Sequence, residues 1–175
     1  ATPTTPAPLE TLVVSTTGSG TACSLAVPCS LATALGRAAA GSHVLLRAGT
    51  YYEGGLSLET SGTAEAPIVI TSYQGESVAL DGADPATFAW LAQGGGVWMT
   101  TVNVAAPHLV LASYQRLYPY PSLGDLQGLS WGVPGFFASG TTLYVRLAGD
   151  ADPNSAIMTV SRQHHALELS GASFV

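Results

Sequence analysis

The chain has 175 residues, of which 47% are hydrophobic and 9% are charged, and its formal net charge at pH 7 is −6. This composition excludes a disordered chain and provides enough apolar side chains for the core of one domain. All five basic residues are arginines, which excludes a lysine nucleophile, a Schiff-base lysine and a phosphate-binding lysine. A basic surface for nucleic acid is not expected, and no apolar run approaches the roughly 20 residues of a membrane span.

The N-terminal residues predict a secreted protein. Residues 1–10 open with Ala-Thr-Pro-Thr-Thr-Pro, which is typical of a flexible leader that remains after a signal peptide has been removed. Cys23 and Cys29 lie six positions apart without a second cysteine pair, so a disulfide is favoured over a zinc site. Such a bond would indicate an oxidising compartment, and we therefore expect an extracellular location.

A short helix is predicted after Cys29. Apolar residues recur at positions 31, 34, 35, 38 and 39, which is the spacing of an amphipathic helix. Ser30 can cap its start by accepting a hydrogen bond from an early backbone N–H, and Gly41 can end it in the left-handed conformation.

Short β-type runs precede and follow this helix, at residues 12–15, 44–47, 56–59, 68–72 and 78–80. Irregular glycine-rich or polar segments connect the last four runs, whereas antiparallel hairpins favour two-residue turns. The pattern is typical of a solenoid, in which each short strand stacks in parallel on the strand one turn earlier. The helix would then cover the apolar interior of the first coil.

Several segments in this region carry a family resemblance. They are Cys-x5-Cys, Ser-Leu-Ala-Thr-Ala-Leu, Gly-Ser-His-Val-Leu-Leu-Arg-Ala-Gly-Thr-Tyr-Tyr-Glu, Ser-Gly-Thr-Ala-Glu-Ala-Pro-Ile-Val-Ile-Thr-Ser-Tyr and Val-Ala-Leu-Asp-Gly. Together they cover about residues 12–82 and resemble the amino-terminal part of secreted proteins of the pectate-lyase-like superfamily. The resemblance implies an all-β, right-handed parallel β-helix, with the capping helix and first coils in residues 11–85. Lyases, hydrolases, epimerases and proteins of other roles share this opening, so it implies less about activity.

Residues 86–147 predict a β-rich aromatic insertion between coils. They contain all three tryptophans, strand-like runs at 97–102, 109–112, 115–118 and 143–147, and a hairpin around the turn Ser139-Gly140. Tyr118, Tyr120 and Trp131 are candidates for stacking on sugar rings, with ordinary core packing as the alternative.

Residues 148–175 predict a return to the solenoid, with one strand at 157–160 and another within 166–175. A solenoid cannot leave its interior face open without a cap. We therefore expect a C-terminal chain or segment to complete the β-helix, so that this chain is the amino-terminal piece of a longer protein.

Arg162, His164 and His165 form a dense polar cluster near the start of that last coil. An arginine and a histidine can hold a sugar carboxylate or act as a general base. Alternation along a strand sends neighbouring side chains to opposite faces, so only one histidine can share a surface with Arg162. Exposed residues at a coil corner are the alternative interpretation.

Glu53, Asp81 and Asp84 are candidates for the paired carboxylates of a glycosidase or a calcium site. The alternative for Asp81 is turn chemistry, and for Glu53 a bond to a neighbouring turn or exposure to solvent. No Asp-x-Asp-x-Asp run indicates a calcium loop. We expect no cofactor in this segment, while the resemblance leaves room for calcium in the complete protein.

The resemblance implies that the chain is part of a secreted polysaccharide-active enzyme, either a lyase or a glycoside hydrolase. Its active groove would lie on coils beyond residue 175, and the fragment alone would be inactive. The alternative is a non-catalytic extracellular surface or matrix protein that binds glycans or partners.

Overall fold

The computed structural model describes residues 10–84 and 86–175. The predicted leader, residues 1–10, lies outside the described residues except for Glu10, which begins the first strand. The described chain is mostly β with two short α-helices, and neither is long and apolar enough to cross a membrane. It divides into two compact units. The first runs to Asp81 and resumes over residues 165–175, and the second comprises residues 82–164.

The two helices are α1 (Leu31–Arg37) and α2 (Leu123–Gly128). In chain order the strands of the described residues are β1 (Glu10–Val14), β2 (Ser42–Leu46), β3 (Gly49–Tyr51), β4 (Leu56–Leu58), β5 (Val69–Ser72), β6 (Val78–Leu80), β7 (Leu91–Gly94), β8 (Val97–Thr101), β9 (Val110–Ala112), β10 (Gln115–Arg116), β11 (Tyr118–Pro119), β12 (Gly135–Ser139), β13 (Thr142–Arg146), β14 (Met158–Val160) and β15 (Leu167–Leu169).

The strands of the first unit pair in parallel. Strand β2 lies between β1 and β5, β3 pairs with β6, and β4 pairs with β15. Strands β2, β3 and β4 therefore pair with β5, β6 and β15 in the same order. In the sequence, the second unit lies between β6 and β15.

This register builds the core of the first unit. Leu12 lies opposite Val44, and Val44 lies opposite Ile70, so apolar side chains from three strands form a column. Leu12 and Val44 are fully buried. Burial of each such side chain contributes about 1.5–3 kcal/mol to the free energy of folding. The parallel stacking of short strands that the sequence predicts is present here.

Helix α1 packs against β1, β2 and β4 and buries Leu31 and Leu35 on its apolar stripe. Ser30 Oγ accepts a hydrogen bond from Thr33 N at 3.1 Å, as predicted. The predicted end of the helix at Gly41 is wrong, because the helix ends at Arg37. Gly41 has a φ of 82° in the turn that leads into β2.

The second unit contains two sheets that pack on a common core, and Val97, Tyr120 and Leu126 form a second buried cluster. The five-stranded sheet has the order β11-β12-β13-β8-β7, and the three-stranded sheet has the order β10-β9-β14. Phe136 and Leu143 from the first sheet share a core with Val110 and Val160 from the second. The predicted hairpin is β12 and β13, which pair antiparallel across Ser139 and Thr142.

The second unit extends further along the chain than the predicted insertion, residues 86–147. Strand β14 was expected to return to the solenoid, but it pairs antiparallel with β9. A three-residue apolar strand fits either a parallel sheet of the first unit or an antiparallel sheet of the second, and its sequence does not show which strand it pairs with. Strands β3 and β7 and helix α2 were not predicted, although Ser122 and Asp125 form the capping pair that can signal a helix start.

Candidate functional site

Two aromatic residues proposed to contact sugar lie against each other in the second unit. The ring centroids of Tyr120 and Trp131 are 4.6 Å apart, and their planes differ by 21°. Tyr120 is 4% exposed, whereas Trp131 is 52% exposed. Tyr120 therefore belongs to the core, and it covers one face of a tryptophan that otherwise remains open to solvent.

Tyr120 is held in place from several directions. Its hydroxyl donates to the carbonyl of Val133 at 2.8 Å, and its backbone N–H donates to the carbonyl of Phe136 at 2.7 Å. Its ring lies against Gly135, where an added Cβ would stand 2.3 Å from Tyr120 Cε2. Only glycine at position 135 admits the ring in this position.

The loop that carries Trp131 is tied to the end of α2. The N–H of Ser130 donates to the carbonyl of Asp125 at 3.0 Å, and the N–H of Gly132 donates to the carbonyl of Leu129 at 2.7 Å. Leu129 has a φ of 44°, the left-handed conformation that ends the helix. The backbone on both sides of Trp131 is therefore fixed, so the exposed indole is preorganised.

Tyr118 extends this exposed surface along the chain. It is 46% exposed, and the guanidinium carbon of Arg116 lies 5.7 Å from its ring centroid. Leu117, between them, is buried in the core of the unit. Because successive side chains of an extended segment point to opposite sides, Arg116 and Tyr118 share the other side. We call the exposed Arg116, Tyr118 and Trp131, together with the buried Tyr120 that supports Trp131, the β11 surface.

The structure gives the three residues of the predicted polar cluster separate contacts. The ring of His164 lies on His108 in the second unit, with centroids 3.6 Å apart. In the first unit, His165 Nε2 lies 3.4 Å from a carboxylate oxygen of Glu168. The backbone N–H of Arg162 donates to the carbonyl of Gly82 at 2.8 Å.

The candidate carboxylates also have individual structural contacts. Glu53 accepts hydrogen bonds from the first backbone N–H groups of α1. Asp84 is buried and accepts from Ala86 N at 3.0 Å and from Asn103 Nδ2 at 2.9 Å. The N–H of Asp81 donates to the carbonyl of Tyr51 at 2.9 Å. In residues 10–84 and 86–175, no three His, Cys, Asp or Glu side chains are grouped so as to hold a metal ion.

An ion pair links the segments that follow β2 and β5. Arg47 Nε lies 3.0 Å from both carboxylate oxygens of Glu76, and the N–H of Ala48 donates to Glu76 Oε2 at 2.5 Å. The hydrogen bonds from Arg47 and then from Ala48 lower the pKa of Glu76 from its usual value. The bond to Glu76 likewise raises the pKa of Arg47. Both groups therefore stay charged at neutral pH.

The predicted disulfide between Cys23 and Cys29 is present, and both residues are fully buried. The N–H of Val13 donates to the carbonyl of Cys23, and the N–H of Cys29 donates to the carbonyl of Val13. The bridged loop is thus anchored to β1.

A pocket of about 280 Å³ lies in the second unit and was not predicted. Apolar side chains dominate its lining, among them Phe88, Trp90 and Met158. The side-chain amide of Asn154, also in the lining, is bonded to the backbone N–H and carbonyl of Trp90 at 2.9 and 3.0 Å.

Comparison with known proteins finds a solved structure of similar fold. No protein-family model matches the chain. The complex structure of XylC with xylose superposes on 94% of the chain with a TM-score of 0.72 at 17% identity. The chain has the fold of the matching part of XylC. A glycoside hydrolase structure superposes on 93% of the chain, and on 41% of its own length, with a TM-score of 0.46 at 13% identity.

One curated relative matches at the level of sequence. Pectate lyase PEL9 of Emericella nidulans is 45% identical over 56 residues, which are 31% of the chain. The chain spans 14% of the length of PEL9 and 33% of the XylC chain. The resemblance to a pectate lyase is therefore supported by sequence over part of the chain, and the fold of most of the chain is shared with XylC.

Proposed function

We propose that the chain is the amino-terminal part of a secreted polysaccharide-active enzyme built on a right-handed parallel β-helix. The observation that carries this proposal is the register of the first unit, in which β2, β3 and β4 pair in parallel with β5, β6 and β15 in the same order. The local identity to a pectate lyase and the fold shared with XylC support it. The disulfide supports secretion.

In this proposal, further coils continue the stack above β5, β6 and β15. Within the described residues each of these strands pairs on one side only. Leu169, the last residue of β15, is 51% exposed, and Phe174, which follows it in the chain, is 57% exposed. Coils supplied by a C-terminal chain or segment would bury both. The active groove, and calcium if the enzyme uses it, belongs to those coils.

The β11 surface supplies the sugar contact in this part of the protein. The apolar C–H face of a sugar ring can stack on the face of an aromatic side chain. An aromatic side chain that is already held in place loses little entropy when the sugar binds. Trp131 and Tyr118 offer such faces, while the buried Tyr120 supports Trp131 from behind.

Affinity electrophoresis of residues 1–175 in gels that contain pectin, alginate, a glycosaminoglycan or xylan tests this contact. At least one polysaccharide should retard the protein, and Trp131→Ala should weaken that interaction about tenfold. Tyr52→Ala removes a partly exposed aromatic side chain of the first unit and is the matched control. Unchanged mobility of the wild type in every gel would contradict the proposal.

A non-catalytic surface or matrix protein is the second candidate. It is favoured by the β11 surface, because the exposed rings of Trp131 and Tyr118 can bind a glycan without any catalytic group of this chain. An activity assay on the protein that includes the further coils distinguishes the two functions. An enzyme should release reducing ends or unsaturated products from the polysaccharide that it binds, whereas a matrix protein should bind it without turnover.

A further inference from the structure

Two histidines lie against each other at one end of the three-stranded sheet of the second unit. His108 lies two residues before β9, and His164 lies four residues after β14. Because β9 and β14 pair antiparallel, the start of one strand lies beside the end of the other. The centroids of the two imidazole rings are 3.6 Å apart, and their planes differ by 39°. Both residues are exposed, so solvent reaches the pair.

Hydrogen bonds fix the backbone that carries both histidines. Ser161 Oγ accepts from the backbone N–H groups of His108 and Leu109, in each case at 3.0 Å. Two residues before the second histidine, the N–H of Arg162 donates to the carbonyl of Gly82 at 2.8 Å. The fold therefore holds the two imidazoles near each other, while their exposed side chains keep rotational freedom.

Two imidazoles at this spacing are suited to a divalent transition-metal ion. Imidazole nitrogen is a good ligand for Cu²⁺, Ni²⁺ and Zn²⁺, whereas Ca²⁺ and Mg²⁺ prefer oxygen. Two nitrogens that bind one ion, each about 2.0–2.1 Å from it, stand roughly 3–3.4 Å apart. Rings with centroids 3.6 Å apart bring their nitrogens close to this separation. Rotation of the two side chains, without movement of the backbone, then lets both rings bind the same ion.

The neighbouring polar groups leave the two histidines as the protein ligands. The hydroxyl oxygen of Ser161 already accepts two N–H groups. The carboxylate of Asp84 accepts from Ala86 N and from Asn103 Nδ2. Within residues 10–84 and 86–175, no third His, Cys, Asp or Glu joins the pair in a metal-binding group. Water therefore fills the remaining coordination positions, and the preference among ions follows the general order, in which Cu²⁺ binds more tightly than Ni²⁺ or Zn²⁺.

We propose that His108 and His164 form a bidentate site for a divalent transition-metal ion at this end of the sheet. The ion joins the segment before β9 to the segment after β14. Because it binds the folded chain, it stabilises the second unit. This inference goes beyond the proposed function and does not depend on it, since the site uses neither the β11 surface nor the further coils.

Isothermal titration calorimetry on untagged residues 1–175 at neutral pH tests the site, with CuCl₂, NiCl₂, ZnCl₂ and CaCl₂ as ligands. The wild type should bind one Cu²⁺ per chain at this site, more tightly than Ni²⁺ or Zn²⁺, and CaCl₂ should give no binding heat. His108→Asn and His164→Asn should each weaken Cu²⁺ binding about tenfold or more, because the second imidazole binds at a high effective concentration. His165→Asn replaces a neighbouring exposed histidine and is the matched control, with unchanged affinity expected.

The double variant, His108→Asn with His164→Asn, measures binding by the α-amino group and the other histidines. Zn²⁺ should raise the urea midpoint of the wild type and leave that of the double variant unchanged. A third measurement uses the wild type alone and so does not depend on how a variant folds. Zn²⁺ should protect His108 and His164 from diethylpyrocarbonate, as read by mass spectrometry of peptides, while His165 should still react.

Each contrary outcome is specific. Cu²⁺ binding that is equally tight in the wild type and in the double variant overturns the site. Loss of affinity in only one of the two single variants shows that the ion binds a single histidine, which overturns the bidentate arrangement. Loss of affinity in His165→Asn, or equal reaction of all three histidines with diethylpyrocarbonate in the presence of Zn²⁺, also overturns the assignment.

Discussion

The carboxylate of Glu53 accepts a hydrogen bond from the backbone N–H of Leu31 at 3.1 Å, across 22 positions of sequence. Its second oxygen accepts from Ala32 N at 3.0 Å, and Ser30 Oγ accepts from Thr33 N. The first three N–H groups of α1, which a helix cannot pair internally, are thereby satisfied. A negative charge at a helix N-terminus is further stabilised by the helix dipole. Glu53 holds the helix that packs on the strands of the first unit.

Replacing Glu53 should therefore destabilise the protein. Glu53→Ala leaves two backbone donors without their acceptor, and we expect the free energy of unfolding to fall by about 1–2 kcal/mol in urea denaturation. Glu59→Ala removes an exposed carboxylate of the same unit and should change it by less than about 0.5 kcal/mol. Equal effects of the two substitutions would show that Glu53 does not stabilise α1.

The ion pair of Arg47 and Glu76 should give stability a specific pH dependence. The pKa of Glu76 is lowered in the folded protein by Arg47 and by Ala48 N. The ion pair contributes fully to the free energy of unfolding above the pKa of an unfolded glutamate, about 4.3. This contribution is lost as the pH falls through the lowered pKa of Glu76 in the folded protein.

Urea denaturation between pH 7 and pH 2 measures this dependence. Glu76→Gln should be less stable than the wild type at pH 7, and the difference should shrink as the pH falls below 4. Glu59→Gln serves as the matched control and should follow the wild-type curve. A constant difference between Glu76→Gln and the wild type at every pH would be inconsistent with the pair.

The disulfide should stabilise the protein by reducing the conformational entropy of the unfolded chain. For a loop closed by residues 23 and 29, the chain-entropy model gives about 2 kcal/mol. Dithiothreitol should lower the free energy of unfolding of the wild type by about this amount. The double variant Cys23→Ala with Cys29→Ala should be destabilised without reductant and insensitive to it. Reductant that lowers the stability of the double variant would point to another cause.

Gly135 should be required for the aromatic contact. An added Cβ would meet the ring of Tyr120 at 2.3 Å and the carbonyl of Tyr118 at 2.5 Å. Gly135→Ala should therefore destabilise the protein by about 1–3 kcal/mol and weaken polysaccharide binding, because it displaces the support of Trp131.

Gly128 provides the control, since a Cβ there would have nothing within 4 Å. Gly128→Ala should be neutral or slightly stabilising, because alanine has the higher helix propensity. Near-ultraviolet circular dichroism reports the packing of the aromatic rings in both variants. An unchanged spectrum and affinity in Gly135→Ala would mean that Tyr120 does not position Trp131.

The candidate site could be predicted only in part. Aromatic density drew attention to Tyr118, Tyr120 and Trp131, but composition does not distinguish a buried tyrosine from an exposed one. Arg116 was not singled out, because only the long-range pairs show that it has no acidic partner within residues 10–84 and 86–175. Arg47 and Glu76, for example, lie 29 positions apart.

Local patterns in the sequence were sufficient for the start of α1, for β2, β4, β5 and β6, for the hairpin of β12 and β13 and for the disulfide. Each depends on side-chain periodicity, a capping residue, turn chemistry or two nearby cysteines, and these interactions act within a few residues. Tertiary structure alone assigned β14 to the second unit, paired β15 with β4, and buried Tyr120 behind Trp131. A three-residue strand carries too little pattern to specify its partner. The pairing of Leu56 with Leu167, across 111 positions, is therefore decided by which apolar faces and backbone groups can be satisfied together.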